Sequence, residues 1–184
     1  MGRVTVTAGT YRLGPAAGRI SVRTGRAGIA ARAGHDLLIE ITRWSVVVTV
    51  PGDDVAATTI SAELDLGSLS VREGTGGARP LSVRDRADIE RTMAKLLPGG
   101  RAAFTSVRVI PSAAGGAVEG TLTFNDRTAP VRLQVQAPAP GRYRGTGTVA
   151  QTAFGITPYT GFFGTLKLKD EVTVDFDVDL AKAT

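Results

Sequence analysis

The sequence predicts an all-β fold, a single antiparallel up-and-down barrel of about eight strands with one amphipathic helix. Three observations carry that expectation. Apolar and polar residues alternate with a period of two along several stretches of the chain. Turn formers are abundant, with 23 glycines and 9 prolines in 184 residues. Helical periodicity occurs in one segment, about residues 82–97. A chain of this length can bury a core as one domain, residues 1–184, without a disulfide or metal staple. Consecutive strands joined by short turns favour the barrel, and a two-sheet sandwich stays open as its competitor.

The elements follow in chain order. Arg3, Arg12, Arg19, Arg23, Arg26 and Arg32 all precede the first acidic residue, Asp36, and read as a solvated face or a cationic rim. From Leu37 to Val50 the apolar set is Leu37, Ile39 and Ile41, then Trp44, Val46, Val48 and Val50. The parity changes between Ile41 and Trp44, which predicts a bulge near Thr42-Arg43 that bends the strand. Ile60, Ala62, Leu64 and Leu66 alternate with Ser61, Glu63 and Asp65 as a further strand. A glycine-rich loop from Glu73 to Pro80 leads to Ser82, placed to cap a helix in a capping box with Asp85. Ile89, Met93, Leu96 and Leu97 share one helical face, and Pro98-Gly99-Gly100 ends the helix.

The second half returns to strands. Val118, Gly120, Leu122 and Phe124 are followed by Asn125-Asp126-Arg127, a hairpin turn, and then by Val131, Leu133 and Val135. Near the C-terminus Val172, Val174, Phe176, Val178 and Leu180 alternate with Thr173, Asp175, Asp177 and Asp179. This strand is expected to pair antiparallel with an N-terminal strand and close the barrel, bringing its acids near Arg19 and Arg23.

Composition excludes several chemistries. There is no cysteine, so disulfides, thiolate nucleophiles and Cys-based zinc sites are ruled out. His35 is the sole histidine, which removes metal sites built on a His pair. No Gly-x-Ser-x-Gly elbow is present for a serine triad. Asp175, Asp177 and Asp179 run along a strand instead of converging from a loop, the wrong geometry for calcium. Gly74-Thr75-Gly76-Gly77 lacks the Lys-Ser/Thr ending of a phosphate loop. Aromatic residues are 5% of the chain, too few for stacked bases, and the net charge of +5 gathers on no helix, so nucleic acid is not expected. The opening Met1-Gly2-Arg3-Val4-Thr5-Val6 has neither a signal-peptide apolar run nor the myristoylation pattern. No stretch is long enough for stable membrane insertion, and a cytoplasmic protein is expected.

Four stretches carry a resemblance. Gly34-His35-Asp36-Leu37 resembles a family's glycine-histidine entry to a long strand, and Ala103-Phe104-Thr105-Ser106 its Phe-x-Ser strand. Gly120-Thr121-Leu122-Thr123-Phe124 with Thr128-Ala129-Pro130-Val131 resembles its hairpin. Phe154-Gly155-Ile156 and Asp170-Glu171-Val172 resemble its C-terminal pattern. The family is that of the YceI-like domains, and the likeness runs from about Thr10 to Asp179. The hairpin departs from it, with Asn125-Asp126 where the family usually has a glycine, and no basic residue immediately precedes Phe154. The resemblance implies an extended lipocalin-like barrel that binds a polyisoprenoid chain or related lipid and needs no cofactor.

On that reading the apolar tail lies between inward residues, Leu37, Ile39, Leu64, Leu122, Leu133 and Phe176, with Phe104 on the same wall. Met93 and Leu97 form a helical lid, mobile or fixed, and Phe162 lines the mouth. His35, Arg84 and Arg86 meet a head group. Gly120, Gly145, Gly147 and Ala62 are expected to leave room inside. Two alternatives stay open: a lipid-modifying enzyme using His35, or a solid-packed barrel whose arginine face binds an acidic protein. Homodimerisation is left open too.

Overall fold

The computed structural model describes residues 6–97 and 100–184, except the side chain of Phe162. Strands β1 (Gly9–Leu13), β2 (Gly18–Arg23), β3 (Arg26–Ala27), β4 (Asp36–Ile41), β5 (Trp44–Val50), β6 (Thr59–Asp65) and β7 (Leu69–Thr75) precede helix α1 (Val83–Leu96). After it come β8 (Arg101–Ser112), β9 (Gly115–Phe124), β10 (Arg127–Ala139), β11 (Arg142–Ala150), β12 (Thr160–Gly161), β13 (Leu166–Leu168) and β14 (Glu171–Asp179). Eleven strands form one antiparallel sheet in the order β1-β5-β6-β8-β9-β10-β11-β14-β2-β4-β7, and β12-β13-β3 form a small second sheet.

This order forces the sheet to curl. In a flat sheet β1 and β2 would lie eight strand spacings apart, roughly 38 Å at the usual 4.8 Å spacing. The chain between Leu13 and Gly18 reaches at most about 18 Å. Strands β4 and β5 are as far apart in the order and are joined by Thr42-Arg43 alone. The sheet therefore rolls round an interior.

Two expectations are corrected. The main sheet has eleven strands instead of about eight, and it is not a closed barrel, because the outermost strands β1 and β7 share no ladder among the described residues. The physical reason is three corners. Gly14–Ala17, Thr42-Arg43 and Leu66–Ser68 each break one long strand into two, and the halves pair on opposite sides of the roll. The parity change at Thr42-Arg43 marks a real corner. Leu37, Ile39 and Ile41 are buried before it, and Trp44 and Val50 after it.

Two corners are locked to each other. Thr42 Oγ1 donates to the Ser68 carbonyl at 2.9 Å, and the Arg43 amide donates to Ser68 Oγ at 2.9 Å. Ser68 Oγ in turn donates to the Asp65 carbonyl at 2.7 Å, so this buried hydroxyl is satisfied twice.

The C-terminal strand pairs as expected. In the β14–β2 ladder Thr173 faces Arg23, Asp175 faces Ser21 and Asp177 faces Arg19. Arg23 holds Asp175 through two hydrogen bonds, of 2.6 and 3.0 Å. Asp177 is held by Arg142 of β11 instead of Arg19, both bonds being 3.0 Å. The Arg142 hydrogen bonds hold the Asp177 carboxyl below the usual aspartate range, with Arg19 adding a small electrostatic push. Asn125 and Asp126 take φ of +52° and +56°, the left-handed pair a two-residue hairpin turn requires.

Each sheet edge is capped at one point. Along β1, Arg12 and Thr184 exchange two backbone hydrogen bonds, of 2.9 and 3.3 Å. Along β7, Glu90 of α1 accepts the Val71 amide at 2.8 Å. The helix starts at the expected cap, with the Asp85 amide on Ser82 Oγ and the Ser82 amide on the Asp85 carboxylate. Its Ile89 and Met93 pack on Leu37, Ile39 and Val71. The Pro98-Gly99 stop lies outside the described residues.

Candidate ligand cavity

The interior of the rolled sheet holds two apolar cavities, of about 430 Å³ and about 240 Å³. Leu64, Leu122, Val149 and Val174 line both. They come from β6, β9, β11 and β14, so they form a waist where the cavities meet. Strand β14 shows how the two are arranged. Val172 lines the larger cavity, Val174 the waist, and Phe176 and Val178 the smaller one. On β6 the waist residue Leu64 follows Ile60 and Ala62 of the smaller cavity and precedes Leu66 of the larger. The cavities therefore lie end to end along the same strands. Period-two alternation generates this wall, since every second residue of each strand points inward.

The residues singled out in the sequence distribute along that axis. Leu37, Ile39, Met93 and Leu97 line the larger cavity, whose inward helical side chains come from α1. Phe104, Leu133 and Phe176 line the smaller one, while Leu64 and Leu122 sit at the waist. The Phe162 side chain is outside the described residues. Arg84 is exposed and Arg86 half-buried on α1, and neither lines either cavity.

The interior glycines behave differently from expectation. A Cβ on Gly120 would lie 2.5 Å from the Phe104 ring, and one on Gly145 would lie 2.5 Å from the Phe176 ring. One on Gly147 would lie 2.7 Å from Leu133. These glycines open no space of their own. They seat three large neighbours flat against the sheet, as aromatic rings cover strand glycines elsewhere. Those neighbours line the smaller cavity and narrow that end. Ala62 does line that cavity.

Polar groups gather at the far end of the larger cavity, and most are spent on the protein itself. Arg26 Nη1 donates to the carbonyls of Gly34 at 2.5 Å and Ala31 at 3.2 Å, with Asp36 3.3 Å from its Nε. His35 Nε2 lies 2.7 Å from the Arg79 carbonyl, which can only accept, so the ring nitrogen donates. Gln151 Nε2 donates to the Lys169 carbonyl at 3.0 Å. Sequence reasoning missed Arg26, Tyr159 and Gln151 as lining residues because they sit in or beside very short elements, a two-residue strand, a loop and a short 3-10 turn. At the opposite end, burial and to a lesser degree Tyr11 push the Tyr143 hydroxyl pKa up.

The β13 strand closes the far end of the larger cavity. Leu166 and Leu168 line the larger cavity and Lys167 between them is exposed, so the small sheet is a roof with an apolar underside.

Residues 11–180 match the family model of the YceI-like domain. Seven chains of solved structures match as well. One is the crystal structure of Burkholderia cenocepacia BcnA, at 18% identity and a TM-score of 0.53, covering 86% of this chain and 94% of that one. That likeness is one of fold. No curated protein matches.

Proposed function

The chain belongs to the YceI-like domain family, a fold known for binding polyisoprenoids, and from that premise we propose that it holds a long apolar molecule in its interior and carries or sequesters it. The single observation behind this reading is the pair of apolar cavities arranged end to end through the waist of Leu64, Leu122, Val149 and Val174. The larger one alone falls within the volume range of ordinary small-molecule sites. Each buried methylene contributes about 0.8 kcal/mol before ordering costs, so a chain needs few polar contacts to bind. A polyisoprenoid or related lipid fits that chemistry.

The reading is of a binding protein and not an enzyme. His35, on which lipid chemistry would depend, has its Nε2 committed to Arg79. A solid-packed interaction module is disfavoured by the two cavities. Arg26, already fixed at the larger cavity, is better placed than Arg84 or Arg86 to face a polar head group. The compartment we expect is the cytoplasm, which cell fractionation tests. Among the described residues no helix is long and apolar enough to cross a membrane.

Calorimetry on a series of prenols of increasing length tests the binding. Affinity should rise with each unit and then level off as the cavities fill. Affinity independent of tail length would overturn the proposal.

A further inference from the structure

The roof over the larger cavity carries an outer surface that the binding reading does not use. Phe163 is 109% exposed and Ile29 is 96% exposed, the two most exposed large apolar side chains among the described residues. Both project from loops that meet at Thr165. The Ala30 amide donates to the Thr165 carbonyl at 3.0 Å, while Phe163 stands two residues before Thr165 on the other loop. Phe163 has φ +57° and ψ +35°, a left-handed conformation that costs a bulky residue strain, and it is followed by Gly164 at φ +85° with open space round it. A strained backbone thus holds an aromatic ring out in the solvent.

Along the two loops themselves the charge has one sign, and Lys169 also borders a groove shared with Asp36, Glu73 and Glu171. Residues 24–34 and 156–169 contain Arg26, Arg32, Lys167 and Lys169 and no acidic residue. Arg26 is paired with Asp36, on the inner side. Arg32, Lys167 and Lys169 are exposed and form no ion pair among the described residues. Lys167 points outward from the strand whose Leu166 and Leu168 point into the cavity.

We propose that this roof is a docking surface for an anionic lipid bilayer, with Phe163 and Ile29 entering the interface and Arg32, Lys167 and Lys169 meeting the headgroups. The inference rests on the carrier reading for its purpose, since cargo leaving through the roof would pass into the acyl region without crossing water. Its physical basis is independent of that reading. Two separate apolar tips ringed by cations match the amphipathic logic of interfacial binding, in which buried apolar area and electrostatic attraction add. They do not make the broad flat patch a stable protein interface needs.

The test is co-sedimentation with vesicles of phosphatidylcholine alone and of phosphatidylcholine mixed with phosphatidylglycerol. The wild-type protein should sediment with the mixed vesicles and release as salt is raised. Phe163→Ser should weaken partitioning about tenfold, the effect of withdrawing most of one aromatic side chain from an apolar phase. Lys167→Gln and Arg32→Gln should each weaken it by about fivefold on mixed vesicles and little on neutral ones. Because Phe163 is fully solvated, Phe163→Ser should fold and melt as the wild type does. Phe163→Trp supplies a second readout, a blue-shifted emission on vesicles above the buried Trp44 background.

Binding of a short fluorescent prenol in vesicle-free solution, measured in parallel, should be unchanged in all these variants. If the prenol fails to bind while vesicle recruitment follows this pattern, the cavity reading fails and the docking surface stands. Absence of wild-type sedimentation overturns the docking surface, as does sedimentation indifferent to Phe163→Ser, and a surface used by a protein partner would give the first of these.

Discussion

Thr42 Oγ1 donates to the carbonyl oxygen of Ser68 at 2.9 Å, so the corner of one long strand is fastened to the corner of the next. With the Arg43 amide on Ser68 Oγ, this joins the two bends that let the sheet roll. Ser68→Ala removes the acceptor for that part-buried amide, and the unmade hydrogen bond costs about 1 kcal/mol. Urea unfolding should show a loss of that size, and an unchanged midpoint would mean the corners hold without it.

The waist predicts a division of labour between the cavities. Ala62→Phe fills the smaller cavity and leaves the larger one untouched, because Ala62 lines only the former. Long prenols should lose affinity, while short ones should bind as before. Leu122→Arg puts a charge against both cavities and should abolish binding at every length, since desolvating it costs several kcal/mol. Calorimetry separates these outcomes, and an equal loss at all lengths in Ala62→Phe would refute the end-to-end arrangement.

Gly147 faces Leu133 directly across the β10–β11 ladder. Gly147→Ala should destabilise the protein by about 1–3 kcal/mol through overpacking. Leu133→Val withdraws the clashing methyl and should recover part of that loss, a positive coupling in a double-mutant cycle. Strict additivity of the two changes would show that the glycine is needed for some other reason.

The helix cap should fail in acid. Hydrogen bonds from the Ser82 amide and then the Ser82 hydroxyl, with Arg79 adding less, hold the Asp85 carboxyl below the usual aspartate range. A depressed folded-state pKa means the stabilisation is present above the unfolded value and is lost as pH falls through the folded one. The hydrogen-exchange protection of the first helical turn, taken relative to the unstructured rate at each pH, should therefore fall as pH drops through and beneath the ordinary aspartate range. Asp85→Asn should remove most of that pH dependence.

How much of this was legible in the sequence varies by element. Strand β14 was readable to its partner, because aliphatic and acidic residues alternate without a break. The corner at Thr42-Arg43 showed itself as a shift of parity between Ile41 and Trp44. The corner at Leu66–Ser68 carries a similar shift, between Leu66 and Leu69, but the run after it, Leu69 and Val71, is too short to declare a strand by itself, which is part of why the strands were undercounted. Strands β3, β12 and β13 have two or three residues each, too few to express any period. The interior glycines misled because a sequence reveals a missing side chain but not the ring that a neighbouring strand lays over it. Arg26 became a cavity residue through the pairing of the two-residue strand β3 with β13 and through the carbonyls of Ala31 and Gly34, an arrangement no local pattern encodes.

The hydrogen bond from the Val71 amide to Glu90 gives the helix a second duty. Were α1 to swing aside as a lid, the movement would wet Ile89 and Met93 and also strip the cover from an outermost strand. A bared strand recruits others by backbone pairing, so an open barrel would be adhesive as well as empty. Exposure of the cavity wall and exposure of the sheet edge would then be coupled through one carboxylate.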